Sequence, residues 1–539
     1  MPEQRGAAVE TTATLRGSSL LLAGRLLATA VAFLTQVLLV RHLSTADFGA
    51  FAYGLGVVVS ARILVSLGHN RIITRFIAIY RERGDSGRLL GVLVMELLLI
   101  GSLGTALFLG VVAAQDVLAG TVIDDRRTIA VLAILILLAP LEALDELAES
   151  LLAAYGRAGA ILWRQHVLAP ALRLGVVVTL IALDAGVMFL ATGYVVATFA
   201  GLLLYVLVLR RLLHAEQVLG SGRVRPTAPV REVFGYSLPL LTAEFVYISV
   251  NTVSVVVLGY FHGPGAVGRL RAVGPLAELN LLVRRQFLRL YLAQAARLYE
   301  RGDLASLRAT YVRTTAWLAV LTFPVLAVTV PFAEPVTVTL FGERYASSAP
   351  YLALLSLGFY VNAAAGFNAE LLQAAGRVRR LVVANVVTIV VHVTLVLVLA
   401  YRLGALGVAV ATTVALVVQN AINQTGVRAV LGAAVPRPLA RVYLAVVLAT
   451  GLLGAVQMLA GLPLIGGLVL TVLATAVVLR ATRDVLRLGE TFPVLSRLPV
   501  VGYLVAGETG ADGSRSRTVS AGRRRHRPAH RRRTARRRR

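Results

Sequence analysis

Apolar runs of about twenty residues recur along most of this chain, and no other feature limits its fold as strongly. A helix of that length crosses roughly 30 Å of hydrocarbon while pairing its own backbone N–H and C=O groups. Strands alternating polar and apolar residues are absent, which excludes a β-barrel. Hydrophobic residues make up 57% of the chain and the mean hydropathy is +0.78, beyond the range of a soluble domain. Fourteen spans are predicted, at roughly 18–40, 48–67, 89–112, 128–150, 164–185, 187–209, 237–258, 273–296, 312–332, 350–374, 380–400, 404–424, 442–460 and 463–480. The fold class read from the sequence is an all-α polytopic membrane protein. The first 17 residues hold no apolar stretch of the cleavable-signal type, so the first span is expected to act as the insertion signal.

Three phrases return in order at nearly one offset. Leu151-Leu152-Ala153-Ala154-Tyr155-Gly156-Arg157 returns as Leu371-Leu372-Gln373-Ala374-Ala375-Gly376-Arg377, and Arg83-Gly84-Asp85 returns as Arg301-Gly302-Asp303. Ala46-Asp47-Phe48-Gly49 has a weaker echo in Gly265-Ala266-Val267-Gly268. Together they indicate a duplicated unit. The offset covers six spans, an even number. The two six-helix lobes therefore share one orientation and are expected to be related by a pseudo-twofold axis along the membrane normal.

Loops after the even-numbered spans carry about 22 arginines and the opposite loops about 7. The positive-inside rule then places both termini in the cytoplasm. The expected organisation is a cytoplasmic segment over 1–17, lobes over 18–235 and 236–438, spans 13 and 14 within 439–482, and an interfacial stretch over 483–506. Residues 507–539 form a tail with 13 arginines and two acids, expected to be disordered. Anionic lipid is the partner favoured for that tail, and nucleic acid is the less favoured one.

Charges within the spans carry the mechanism, because a charge in hydrocarbon needs a wet cavity or a partner. The candidate substrate-binding residues are Arg25, Arg62, Arg173, Arg284, Arg285 and Arg289. Glu142, Asp145, Glu146 and Glu149 of span 4 fall at i, i+3, i+4 and i+7, on one helix face. Glu278 shares a face of span 8 with Arg285 and Arg289. Most of these positions lie at the midplane or in the cytoplasmic half. They imply a mostly cationic chamber open to the cytoplasm beneath an apolar outer gate. Arginine suits such a chamber if the cargo is a pyrophosphate, because its planar fork makes paired charge-assisted hydrogen bonds.

Ordinary readings stand beside these. Arg25 and Arg289 are near enough to span ends to snorkel. The span-4 acids are either internal partners for Arg173 or Arg62, or contacts for substrate or protons. Glu244 and Asn251 on span 7 read as polar glue between helices as well as candidate coupling groups, and Asn385 and His392 on span 11 read as polar glue. His526 and His530 lack the further ligands a metal site needs. The chain has no cysteine, hence no thiolate site. All 54 basic side chains are arginine, so no P-loop lysine or Schiff-base lysine exists. No cofactor is expected.

The chain resembles the Wzx-like oligosaccharide flippases, the polysaccharide biosynthesis proteins of the MOP superfamily. The resemblance covers about residues 15–480. It rests on Arg41-His42-Leu43-Ser44-Thr45-Ala46-Asp47-Phe48-Gly49, on Leu340-Phe341-Gly342-Glu343-Arg344-Tyr345, on the Leu371–Arg377 phrase, and on Leu403-Gly404-Ala405-Leu406-Gly407-Val408-Ala409. It implies two six-helix lobes around a central cavity, often with two extra helices. It also implies a lipid-linked oligosaccharide, carried through a phosphate or pyrophosphate, as the partner that is reoriented across the membrane, with other glycan-assembly proteins as further candidate partners. Arg25, Arg62 and Arg285 occupy spans comparable to those that place cavity arginines in the lipid II flippases. On this reading the protein is not an enzyme. The alternatives are a MATE-like drug or cation exporter, which shares the fold, and a membrane glycosyltransferase or polymerase, for which the short outward loops leave no room.

Overall fold

The computed structural model describes residues 24, 27–67, 70–121, 125–215, 226–237, 241–432 and 437–486. The regular structure among them is entirely helical, as a chain surrounded by lipid requires. The N-terminal segment 1–17 and the arginine tail lie outside the described residues, as do Arg25 and the expected interfacial stretch beyond residue 486; its first four residues, 483–486, are helical.

The first half runs through α1 (Leu27–His42), α2 (Thr45–Ser66), α3 (Asn70–Glu82), α4 (Ser86–Ala113), α5 (Gln115–Thr121), α6 (Arg126–Leu135), α7 (Leu138–Ala154) and α8 (Ala158–Ile161). A π-helical segment, Leu162–Leu168, leads into α9 (Ala169–Ala182) and α10 (Val187–Ala215). After the short α11 (Val230–Ser237) the second half begins with α12 (Leu241–Ile248), a second π segment (Ser249–Val253), α13 (Ser254–Glu278) and α14 (Leu282–Glu300). It continues with α15 (Leu304–Thr329), α16 (Ala333–Phe341), α17 (Ala349–Ala364), α18 (Asn368–Ala374), α19 (Val378–Leu403) and α20 (Ala405–Leu431). α21 (Arg437–Ala460) and α22 (Leu464–Leu486) close the described chain. They stand where spans 13 and 14 were expected and pack on α15. There Thr471 donates to the Ala327 carbonyl at 3.4 Å, and Tyr443 donates to the Ala364 carbonyl of α17 at 2.7 Å.

Twelve helices among the described residues are long and apolar enough to cross a membrane. One of them, Glu244–Leu288, is 45 residues long and takes the place of expected spans 7 and 8. By composition, 259–272 reads as the connection between those spans. The structure keeps this stretch helical and turns it at a single corner, Gly263, with φ 70° and ψ 177°. Pro264 follows, a residue that opens a helix at no cost in hydrogen bonds. Apolar side chains on the outside are not tucked in: Met458 is 90% and Leu459 89% exposed, an outcome suited to lipid rather than water.

The repeated phrases are two copies of two turns. Gly156 and Gly376 both have φ 67°. The Arg157 N–H donates to the Leu152 carbonyl at 2.9 Å and the Arg377 N–H to the Leu372 carbonyl at 2.8 Å. Each is a glycine-centred helix stop that satisfies orphan carbonyls. Gly84 and Gly302 likewise have φ 65° and 71°. The aspartate after each caps the next helix: Asp85 accepts from the Arg88 N–H at 2.9 Å and Asp303 from the Ser306 N–H at 3.0 Å. Further along, α11 is tied to the first half, with Tyr80 donating to Glu232 at 2.8 Å and the Thr227 N–H to the Gly87 carbonyl at 3.0 Å.

The halves meet most closely where the third repeated phrase touches itself. A Cβ on Gly49 would fall 1.8 Å from the Pro264 carbonyl oxygen and 3.1 Å from the Gly268 nitrogen. One on Gly268 would fall 2.3 Å from the Thr45 carbonyl oxygen and 3.1 Å from the Gly49 Cα. Gly49 and Gly268 occupy matching places in the duplicated sequence, and only glycine admits this approach of α2 to α13. Gly49→Ala is therefore expected to destabilise by about 1–3 kcal/mol through overpacking, read as a fall in the thermal midpoint of the detergent-purified protein. Gly101→Ala, on a helix face with nothing within 4 Å of the new atom, is expected to be neutral or to gain about 1 kcal/mol. An unchanged midpoint for Gly49→Ala would contradict the contact.

Candidate functional site

A charged cavity lies between the halves. Its largest part, about 410 Å³, is walled by α1, α2, α7, the first π segment, α9 and α10. Adjoining parts of about 330 and 170 Å³ reach α13 and α14. Gln36 of α1 borders all three, and its amide donates to the Arg271 carbonyl of the second half at 3.3 Å.

On the first-half wall, α7 presents one acid to each arginine. Arg62 of α2 donates to Glu146. Arg164 of the π segment donates to Asp145 at 2.7 Å, and Arg173 of α9 to Glu142 at 3.2 Å. The fourth acid, Glu149, accepts from the Gln165 amide at 2.5 Å. Arg164 is only 3% exposed and lies over the Tyr205 ring, 5.3 Å from its centroid. Arg173 lies 5.6 Å from the Tyr194 centroid. Both contacts are of the cation–π kind. The π geometry that turns Arg164 and Gln165 toward α7 has a local cause. Pro170 has no N–H to give to a carbonyl four residues back, and the Ala169 N–H instead reaches the Arg164 carbonyl, five back.

On the second-half wall, Arg285 is half-exposed and donates to Glu278 at 2.9 Å. Asn251, in the second π segment, accepts from Arg271 at 3.3 Å, and its backbone carbonyl accepts a further bond from the same guanidinium. Thr252 beside it donates to the Gly56 carbonyl at 2.6 Å and accepts from Ser60, joining the π segment to α2.

Several expectations change here. The chamber is not strongly cationic: five arginines (62, 164, 173, 271 and 285) face four carboxylates (142, 145, 146 and 278) on its walls. Charges at this depth persist because they are paired. Arg284 is not on those walls. One terminal nitrogen of its guanidinium donates to both carboxylate oxygens of Glu370 of α18, at 2.8 and 3.0 Å, and the group lies over Phe367, inside the packing of the second half. Arg289 is on α14, with its side chain outside the described residues. Glu244 sits in the first turn of α12 and is not among the lining residues. Asn385 accepts from Gln419 at 3.2 Å, and His392, fully buried, meets Ser249 at 2.9 Å.

Two wall residues escape the sequence reading. Arg164 falls at the predicted edge of span 5, and Arg271 in the stretch that resembles a connection. The signal for Arg164 is an unmatched acid: Asp145 has the same depth as Glu142 and Glu146 and needs a cation of its own.

The cavity ends below a second structure, at the end of the molecule opposite the arginine-rich loops. Arg41, at the end of α1, donates to the Thr339 and Leu340 carbonyls at 2.5 and 2.8 Å. Arg344 donates back to the carbonyls of Val40, at 2.8 Å, and Arg41. Each arginine thus satisfies the orphan carbonyls at the C-terminal end of the other half's helix, where the helix dipole also favours a cation. An apolar gate was expected at this end. The helix ends that meet there need donors, and arginines supply them. Beside it, Ser44 caps α2 by accepting from the Asp47 N–H at 3.0 Å, and Asp47 accepts from Arg127 at 2.8 Å.

This arrangement defines a class. The structure superposes on an inward-facing multidrug resistance MATE family transporter of the MOP superfamily, with a TM-score of 0.60 and 16% identity over 75% of this chain and 95% of that one. It also superposes on the lipid II flippase MurJ in an inward closed conformation, with a TM-score of 0.60 and 12% identity over 90% and 100%. A MATE structure in complex with MaL6 gives a TM-score of 0.50 and 15% identity over 77% and 97%. At these identities the likeness is one of fold: the chain is a multi-pass membrane protein with the fold of the MOP transporters. No curated protein matches it. Residues 14–282 match the family described as "Polysaccharide biosynthesis protein", and the chain belongs to that family.

Arg284→Ala leaves the Glu370 carboxylate buried without its cation, and the expected loss is about 3–5 kcal/mol in unfolding free energy. An Arg284→Met/Glu370→Leu double variant is expected to recover most of it; equal damage in both variants would refute the account. For the latch, Gln36→Cys supplies the only thiol in a cysteine-free chain. Its reaction with a bulky maleimide is expected to quicken severalfold when Arg41→Ala and Arg344→Ala are added. Unchanged rates would show that the latch does not restrict access.

Proposed function

We propose that this protein is a flippase carrying a lipid-linked oligosaccharide, held through its phosphate or pyrophosphate, from the cytoplasmic to the outer leaflet during glycan assembly. The observation that carries the reading is the cavity wall: arginines from both halves, each using few of its donors, face one space at membrane depth. The family and the fold shared with a lipid II flippase support it. Arg62, Arg173 and Arg285 are the sequence-derived binding residues retained, with Arg164 and Arg271 added. Glu142, Asp145, Glu146 and Glu149 are their charge partners.

The accompanying architecture is fourteen spans, in two lobes (18–235 and 236–438) related about the membrane normal, with two further spans (439–482) beside them. The duplicated turns and the contact of Gly49 with Gly268 support the symmetry. The arginine-rich loops support cytoplasmic termini, which sets the Arg41–Arg344 latch on the outer side. The tail, 507–539, meets anionic lipid, and other glycan-assembly proteins are partners in the membrane.

A second reading, a cation exporter, draws on one observation: the α7 acids offset every arginine on the first-half wall. The two readings separate on Arg285. Arg285→Ala is expected to abolish surface glycan while the protein still reaches the membrane, because Glu278 then faces an anionic headgroup unscreened. Arg285→Lys keeps the charge without the fork and is expected to retain partial export. Deleting 507–539 is expected to leave transport intact. Normal export by Arg285→Ala at matched protein level, with raised sensitivity to cationic drugs in its place, would favour the exporter.

A further inference from the structure

We infer that the first-half wall works by exchange of partners: a diphosphate headgroup takes Arg62, Arg164 and Arg173 from the α7 carboxylates, and the released carboxylates take up protons, so that anion and protons load together. The inference rests on the anionic-headgroup reading above and assigns that site its regulation.

Little of each guanidinium is used. Arg62, Arg164 and Arg173 each commit one terminal nitrogen to one carboxylate, although a guanidinium has five N–H donors. The Nε atoms of Arg62 and Arg164 are buried without an acceptor. Thr198, 6% exposed and on the cavity wall, has a hydroxyl in the same state. Three such groups beside one cavity, two of them on guanidinium ions, suit a ligand rich in acceptor oxygens. A diphosphate supplies those oxygens with at least two charges, which lets it bridge arginines that now hold separate acids.

Proton uptake comes from the acids. Glu142, Asp145 and Glu146 sit within about one turn of α7, on one face. While each holds an arginine, their mutual repulsion is offset. Once a diphosphate turns those arginines toward itself, three carboxylates face one another and an added anion in a poorly hydrated space. Both effects favour the neutral acid, and the bulk solution supplies the protons. The same rule makes the linkage reciprocal: protonating α7 frees the arginines and tightens anion binding.

Other charged and titratable groups surround α7. Glu149 is held by Gln165. Glu96 is buried on α4. Arg81 of α3 donates to the Ala154 carbonyl at the far end of α7, and Arg75 lies on the same helix. Tyr194 and Tyr205 of α10 lie under the arginines. His166, on the π segment, is the imidazole next to these arginines among the described residues and is tested separately.

The experiment uses the full chain in lipid nanodiscs, with farnesyl diphosphate and inorganic pyrophosphate as probes. Calorimetric titration in buffers of different ionisation enthalpy reads the protons taken up per ligand bound. The ligand's own protonation is common to all variants, so the difference between variants reports on α7. Wild type is expected to take up about one or more protons beyond a Glu142→Gln/Asp145→Asn/Glu146→Gln variant, and its affinity to rise about tenfold per pH unit lowered for each linked proton. Asp145→Asn alone covers the case in which the triple variant does not fold, with a smaller but measurable loss of uptake. His166→Gln is expected to keep wild-type uptake; losing it would overturn the assignment to α7. Equal uptake with both probes supports recognition of diphosphate itself, and uptake with the farnesyl probe alone supports delivery of the headgroup by its lipid. Binding by wild type with no more uptake than the amide variants would overturn the exchange and leave the flippase reading standing. No binding of the farnesyl probe at any pH would overturn both.

Discussion

One helix, α7, makes the rest of the first half possible. Three guanidinium groups at membrane depth are each too costly to keep alone, and α7 meets them with Glu142, Asp145 and Glu146 at helix spacing. To reach those acids, Arg62 approaches from α2, Arg164 from a π-helical turn and Arg173 from α9. The cavity is the space these side chains line. Its polarity therefore comes from structure that holds itself together before any ligand arrives. That also explains why a chamber full of arginine is nearly neutral.

The spans are legible in the sequence because their signal is local: an apolar run long enough to cross a bilayer, ended by glycine, proline or a charge. Where three-dimensional geometry decides, the sequence misleads. Gly263-Pro264 reads as a loop from composition, yet one residue of positive φ lets the helix resume at once, and this puts Arg271 in the wrong kind of segment. Arg284 and Arg285 are neighbours in sequence with different surroundings, one paired with Glu370 and the other facing the cavity beside Glu278. Helical phase separates them by about 100°, but only the position of α18 says which direction is packed. The acid face of α7 is readable in full, and pairing with Arg62 and Arg173 is one of the two roles its spacing allows. The third cation, Arg164, is hidden by a π turn that no periodicity announces.

The phrases that carry the family resemblance are brought together by the fold. Arg41 through Gly49 and Leu340 through Tyr345 are about 300 residues apart, yet each gives an arginine to the other's backbone. Within the first phrase, Ser44 caps a helix, Asp47 holds Arg127, and Gly49 admits α13. A string that looks like a label is a set of separate physical tasks at one junction between the halves.

The two kinds of arginine contact differ in what solvent chemistry reaches them. On the first-half wall of the cavity the acceptors are carboxylates, whose charge acid can remove. At the latch they are main-chain carbonyls, which do not titrate, and guanidinium does not lose its proton in proteins. No side-chain replacement at Val40, Thr339 or Leu340 deletes an acceptor either. Acidity thus acts on the chamber while sparing the clasp, which is untied only by losing its arginines, so the molecule keeps its chemically responsive bonds and its mechanically closing bonds in separate places.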